Sequence, residues 1–134
     1  MSNLKFSAAI AIVVPLLATI ASAHHSFAAY DTSKTITVQA TIKEFDWGAP
    51  HSSGTFLVMQ PGGEPKQVSV IAGAPNSFSN QGFRAHDFKK GLTVTLMYHP
   101  LRDGSTSGGS LAGIVFPDGR KYGETQPGSG GAPK

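Results

Sequence analysis

The chain has 134 residues, 40% of them hydrophobic and 14% charged, with a formal net charge of +3, five histidines and no cysteine. That length allows one domain with a single modest core. The missing cysteines exclude disulfides and thiolate metal or redox sites. So small a positive excess gives no basis for a nucleic-acid-binding surface, which shows clustered Lys and Arg.

Residues 1–23 read as a secretory signal. Lys5 provides the positive start, residues 8–20 form an almost unbroken apolar run, and Ala21-Ser22-Ala23 supplies the small-x-small pattern that signal peptidase accepts. The rival reading is a permanent anchor. The run is shorter than the roughly 20 residues a spanning helix needs, Pro15 interrupts it, and no basic stop-transfer cluster follows. Cleavage after Ala23 removes Lys5 alone among the charges and lowers the net charge from +3 to +2. The expectation is therefore a bacterial protein, periplasmic or secreted, with no membrane span after cleavage. A secreted eukaryotic protein of this size usually carries cysteines.

Residues 24–34 form an N-terminal arm with no clear periodicity. From residue 35 the pattern alternates: Ile36, Val38, Ala40 and Ile42 point one way, and Thr37, Gln39, Thr41 and Lys43 the other. Period two with β-branched residues predicts a half-buried strand, continuing to Trp47 and ended by Gly48-Ala49-Pro50. Residues 55–60 predict a second strand, closed by Pro61-Gly62-Gly63, and residues 67–72 a third. A short helix is expected over 75–82, with Pro75 in its first turn, Phe78 as apolar anchor and Gly82 as cap. Residues 92–99 and 111–116 predict strands four and five, separated by a Gly/Ser-rich loop. Residues 123–134, rich in Gly, Pro and Ser, are expected to be a disordered tail, which leaves the β domain at 35–122. The fold class is mostly β, a small five-stranded OB-like barrel with one short helix between strands three and four. Element order alone leaves another small barrel or a sandwich open. Phe45, Phe56, Phe78, Phe83, Phe88 and Phe116 are the expected core aromatics.

Five segments occur in order: His24-His25-Ser26-Phe27, Trp47-Gly48-Ala49-Pro50-His51, Gly73-Ala74-Pro75-Asn76, Lys89-Lys90-Gly91 and Pro117-Asp118-Gly119-Arg120. Together they resemble a family of small exported bacterial proteins of unknown function. The chain departs from the family pattern at Ala49, where Asn is common, at Phe83, where Trp is common, and at Ser52-Ser53, which replace a more apolar pair. The resemblance implies export and one β domain, and it implies no activity.

Histidine is the main source of reactive chemistry. Cleavage after Ala23 would leave His24 with a free α-amine beside its imidazole. Such an amine, with an ordinary pKa near roughly 8, is partly deprotonated at neutral pH. Amine and imidazole of one residue form a chelate, and one more imidazole completes an all-nitrogen site that favours Cu(II). This arrangement resembles the histidine brace of periplasmic copper proteins. Cleavage one residue earlier would instead place His24 second and His25 third from the amine, another copper-chelating order.

His51, after the first strand, and His99, at the end of the fourth, lie in or beside loops that flank the OB binding face. The expected metal ligands are thus His24, His25, His51 and His99, with copper as the cofactor. The competing reading makes His24 and His25 a solvated terminus and His51 a loop-fixing hydrogen-bond donor. His86, beside Asp87, is read as structural or solvent-facing.

Trp47 is read as a core or rim aromatic, with a ligand-stacking platform as its functional alternative. Arg84, Lys89, Lys90 and Arg102 could line an anion site, though scattered charges are usually solvated surface. Glu44 and Asp46, two apart, share a strand face. No serine-hydrolase elbow, phosphate loop, His-Glu-x-x-His motif or cysteine nucleophile occurs, so a non-enzymatic module is expected. Its partner is a metal ion or small ligand. The alternative is a metal-free ligand-binding or adaptor domain that meets an organic ligand or another envelope protein through the Trp47 face. A copper oxidase or oxygenase has little room for a substrate cleft. Export has a direct check: protein recovered from a bacterial periplasm should begin at His24 by N-terminal mass spectrometry, and an intact, membrane-retained Met1 form as main product would contradict the signal reading.

Overall fold

The computed structural model describes residues 28–124. The expected signal, His24, His25 and all of the expected tail except Gly123 and Glu124 lie outside the described residues. Six strands follow one another: β1 (Ile36–Asp46), β2 (Ser53–Val58), β3 (Lys66–Ile71), β4 (Thr93–Pro100), β5 (Gly108–Val115) and β6 (Lys121–Gly123). A short helix α1 (Pro75–Ser79) and a 3-10 turn (Ala85–Asp87) connect β3 to β4.

The sheet order is β3-β2-β1-β4-β5-β6, and a parallel β3–β5 pairing joins the first strand of that order to the fifth. The result is a closed five-stranded barrel, β1-β2-β3-β5-β4, of the OB-like kind, with the helix between strands three and four. Closure runs through Ser69↔Gly108, Val70↔Gly109 and Ile71↔Ser110. Glycine is required there by close approach. A Cβ on Gly108 would lie 2.9 Å from the Ser69 carbonyl oxygen, and one on Gly109 would lie 2.5 Å from both the His99 carbonyl oxygen and the Tyr98 ring. The Gly/Ser-rich stretch read as loop is therefore partly strand.

β1 is long because it serves two neighbours. Ile36–Thr41 pair with β4, while Ala40–Asp46 pair with β2. A register shift between Ile42 and Glu44 marks a bulge at Lys43, which bends the strand around the barrel. Lys43 and Glu44 are both exposed, and the inward phase passes from even-numbered residues to Phe45.

Ile42, Phe56, Val68, Val70, Leu96, Leu111 and Ile114 fill the interior. α1 and the segment after it plug one end with rings. Phe78 stacks on Tyr122 at 4.1 Å between centroids, Phe45 on Phe88 at 4.2 Å, and Phe83 on Phe116 at 5.1 Å. All six expected aromatics belong to this core, Phe45 as a partly buried member. α1 is shorter than expected, ending before Gly82, whose φ of +87° reverses the chain at no steric cost.

The sixth strand was not expected. The Pro117-Asp118-Gly119 turn leads into Lys121–Gly123, which pairs with β5 and buries Tyr122 completely. Gly123, assigned by the sequence reading to the tail, is thus part of the barrel wall. Its N–H donates to the Gln81 side-chain oxygen at 3.1 Å, and its carbonyl accepts from the Gln81 amide nitrogen at 2.9 Å. The Glu124 carboxylate accepts from the Gly73 N–H at 2.7 Å and from the Tyr122 hydroxyl at 2.6 Å. Burial, together with that carboxylate, pushes the Tyr122 phenol well above its ordinary pKa.

Arg120 lies over the rings of Phe83 (5.1 Å) and Phe116 (5.8 Å). It donates to Asp87 at 2.9 Å and to Asp118 at 2.8 Å. Asp87 also accepts from the Arg84 N–H at 2.8 Å, so one carboxylate ties the 3-10 turn to the β5–β6 hairpin.

Two outcomes are expected. Tyr122→Ala should lower stability by about 3–5 kcal/mol in denaturant titration, the cost of emptying a large buried aromatic site. Tyr122→Phe, which keeps the ring, should cost about 1–2 kcal/mol. The second concerns pH. The Arg120 guanidinium and the Arg84 N–H hold the Asp87 carboxyl below its ordinary pKa. A depressed carboxyl contributes its stability above the unfolded value, near roughly 3.9, and loses it as pH falls through the lower folded value. Thermal melts through that acid range should therefore show a decline in the wild type that is shallower in Asp87→Asn.

Candidate functional site

The arm that precedes β1 is docked. The Asp31 N–H donates to the Pro100 carbonyl at 2.8 Å, the Arg102 N–H donates to the Ala29 carbonyl at 2.8 Å, and Tyr30 bridges to Leu101. The Arg102 guanidinium adds a bond from Nε to the Ala28 carbonyl at 3.1 Å. Within the arm, Asp31 accepts from Ser33 and pairs with Lys34 at 3.2 Å. These contacts lay residues 28–34 along the β4–β5 connection.

His99 completes that docking. It occupies β4 opposite Ser110, half-buried, and its Nδ1 lies 2.8 Å from the Lys34 carbonyl. A carbonyl only accepts, so Nδ1 donates, and in the neutral ring that leaves the lone pair on Nε2. That is the tautomer in which a metal-binding histidine is commonly held, with a backbone carbonyl orienting the far nitrogen.

His51 stands in the β1–β2 loop, after the cis Ala49–Pro50 bond. The loop is fixed by its neighbour Ser52, which is fully buried. The Ser52 N–H donates to Gly73 at 2.9 Å, its carbonyl accepts from Ala72 at 2.8 Å, and its hydroxyl reaches the Gly48 carbonyl at 3.3 Å. Ser52 is thus buried with its polar groups engaged.

The two loop histidines are not adjacent. His99 lies across from Ser110, Ser110 pairs with Ile71, and Ile71 pairs with Ser53, two residues past His51. Three strand spacings, roughly 14 Å of barrel wall, separate those backbone positions. Among the described residues no group of three or more His, Cys, Asp or Glu is arranged to hold a metal ion. His86 is exposed and sits 3.8 Å from Asp87.

Trp47 is half-buried at the rim, with its ring 5.1 Å from Phe78, 5.4 Å from Phe88 and 6.1 Å from Phe45. Of the four cations considered for an anion site, Arg84 donates to the Phe83 and Ser79 carbonyls and Arg102 to the arm. They serve different parts of the fold. Glu44 and Asp46 do share an outer face, opposite Thr55 and Ser53.

The docking role of Arg102 and the buried Ser52 escaped the sequence reading. For the first, no local signal exists, since the contact joins residues 74 apart. No curated protein and no solved structure matches the chain. A family profile does match, over residues 12–110, and its description is a family of unknown function, DUF6152. That match takes in most of the apolar run, the arm and most of the barrel, and the chain belongs to this family.

Proposed function

We propose that the protein is a periplasmic binding module that holds Cu(II) at the histidine-rich start of its mature chain. The docked arm carries this reading. Ala28 is fixed against Arg102. His24, four residues earlier, is therefore within roughly 14 Å of that anchor even if the chain is fully extended. The amine and imidazole of His24 supply a chelate, and His25 or His99 Nε2 a further nitrogen. An all-nitrogen set of this kind selects Cu(II) over harder cations. His51 joins only if the start of the arm crosses toward the β1–β2 loop.

The metal-free alternative, a ligand face at Trp47, draws less support. Phe45, Phe78 and Phe88 already surround that ring.

The test is a Cu(II) titration of signal-cleaved protein by calorimetry and electron paramagnetic resonance. One site with a nitrogen-dominated spectrum is expected. A single residue added before His24 should weaken binding well over tenfold, more than about 1.4 kcal/mol, because the chelating amine is lost. Affinity should fall as pH drops through the imidazole range, near roughly 6.5. His99→Ala and His51→Ala identify the further ligand. A weak, pH-insensitive interaction that survives the extension would overturn the copper reading.

A further inference from the structure

β1 outruns β2. The last β2 residue, Val58, stands opposite Ala40, while β1 begins at Ile36, so Ile36–Gln39 have a strand neighbour on the β4 side alone. Ile42 exchanges backbone bonds with Leu92 and Gly91 on that side, at 2.9 and 2.7 Å. The β1–β4 register runs unbroken from Thr41 back to Ile36. Alternation along an antiparallel strand then turns the N–H and C=O of Thr37 the other way, toward the side that β2 has left. The β2–β3 loop, exposed at every residue from 59 to 65, makes no further pairing with β1. The docked arm lies with the β4–β5 connection, on the opposite side of β1.

A groove of about 330 Å³ runs beside this edge, with Val38, Ala40, Leu57, Val58 and Met59 as its apolar lining. Met59, 68% exposed, is the one large apolar side chain left exposed among the described residues. No charged side chain lines the groove. Sheet proteins ordinarily guard a free edge with Lys, Pro or an inward-pointing charge, and Ile36–Gln39 carry none of these. The contrast lies within the molecule, since the β6 edge is closed at Gly123 by the Gln81 carboxamide.

The edge selects its occupant. A free rung of N–H and C=O takes extended backbone. An antiparallel edge is also self-complementary: a two-fold axis brings the same residues of a second copy to face it. Centred on Thr37, such a pairing sets Thr37 against its own counterpart and Ile36 against Val38. Polar then meets polar on the outer face, and apolar meets apolar on the inner one. The uncharged groove lets two copies approach there without like-charge repulsion, although the whole chain is positive.

We propose that the protein forms a two-fold dimer by antiparallel pairing of the Ile36–Gln39 edge with the same edge of a second copy, Met59 being covered at the rim of the junction. Few rungs are shared, so the contact is reversible. It is also closed, and ends at two copies instead of growing. None of the histidines takes part, which makes the dimer independent of the copper reading.

Sedimentation velocity of the signal-cleaved protein, freed of metal on a chelating resin, tests this over a concentration series. A monomer–dimer equilibrium is expected. Thr37→Pro deletes the N–H on the free side and leaves the β1–β4 ladder, so it should weaken the dimer at least about tenfold with the melting temperature retained. Should that variant fold poorly, Met59→Lys changes only an exposed side chain and should act in the same direction, by placing a charge on each side of the junction. The chain has no native cysteine, so Thr37→Cys gives a second readout. Residues directly opposed in this way have Cα atoms about 5.5 Å apart, within the span of a disulfide. Mild oxidation should yield a covalent dimer from Thr37→Cys and not from Lys121→Cys, which is exposed on β6. A monomer at every concentration would overturn the proposal and leave the edge to a strand of another protein. So would a dimer that survives both substitutions, or equal cross-linking from the two cysteines.

Discussion

Three parallel residue pairs hold this molecule closed. Ser69, Val70 and Ile71 meet Gly108, Gly109 and Ser110, and without that seam the six strands would be an open, twisted sheet. Two consecutive glycines sit on the seam because the neighbouring carbonyls and the Tyr98 ring occupy the space a side chain would take. Closure then dictates the rest. β1 must reach both β2 and β4, so it bends at Lys43. The barrel has an open end that strands cannot cover, and α1 fills it with Phe78. The aromatic cluster therefore follows from the topology, and it stands in for the disulfides that a cysteine-free chain lacks.

Much of this was legible in the residues themselves. β1 to β4 fall within a residue or two of their expected bounds, because alternation and turn chemistry are local signals. The bulge at Lys43 was not read, although its signal is there. The apolar positions of β1 run on even numbers through Ile42, then on odd numbers at Phe45 and Trp47, and such a change of parity in one strand requires an extra residue. β5 began three residues earlier than expected. Its glycines look like loop when read locally and acquire their meaning only from a partner 39 residues away. β6 was missed because one aromatic, Tyr122, stood against a Gly-rich tail, although an Asp-Gly turn followed by an aromatic is a hairpin signal.

The candidate sites divide the same way. Residue type singled out the histidines and Trp47, and the structure supplies their surroundings: a carbonyl that orients His99, a rigid loop beneath His51, and three rings against Trp47. The free edge of β1 left no trace in the sequence. It arises because β2 stops at Val58, opposite Ala40, while β1 begins at Ile36. Arg102, read at first as scattered surface charge, acts as the clamp that fixes the arm.

The Gln81 carboxamide bears on how the free margin of the sheet is protected. Its nitrogen and oxygen engage the carbonyl and N–H of Gly123 together, which is the pattern a neighbouring peptide group would present. A side chain has thus taken the place of a seventh strand. The outer border of β6, which pairs with β5 alone, offers no vacant rung at Gly123 to an extended segment from another molecule. Edge-to-edge growth, the usual hazard of a small sheet with a free margin, meets a terminated ladder at that position.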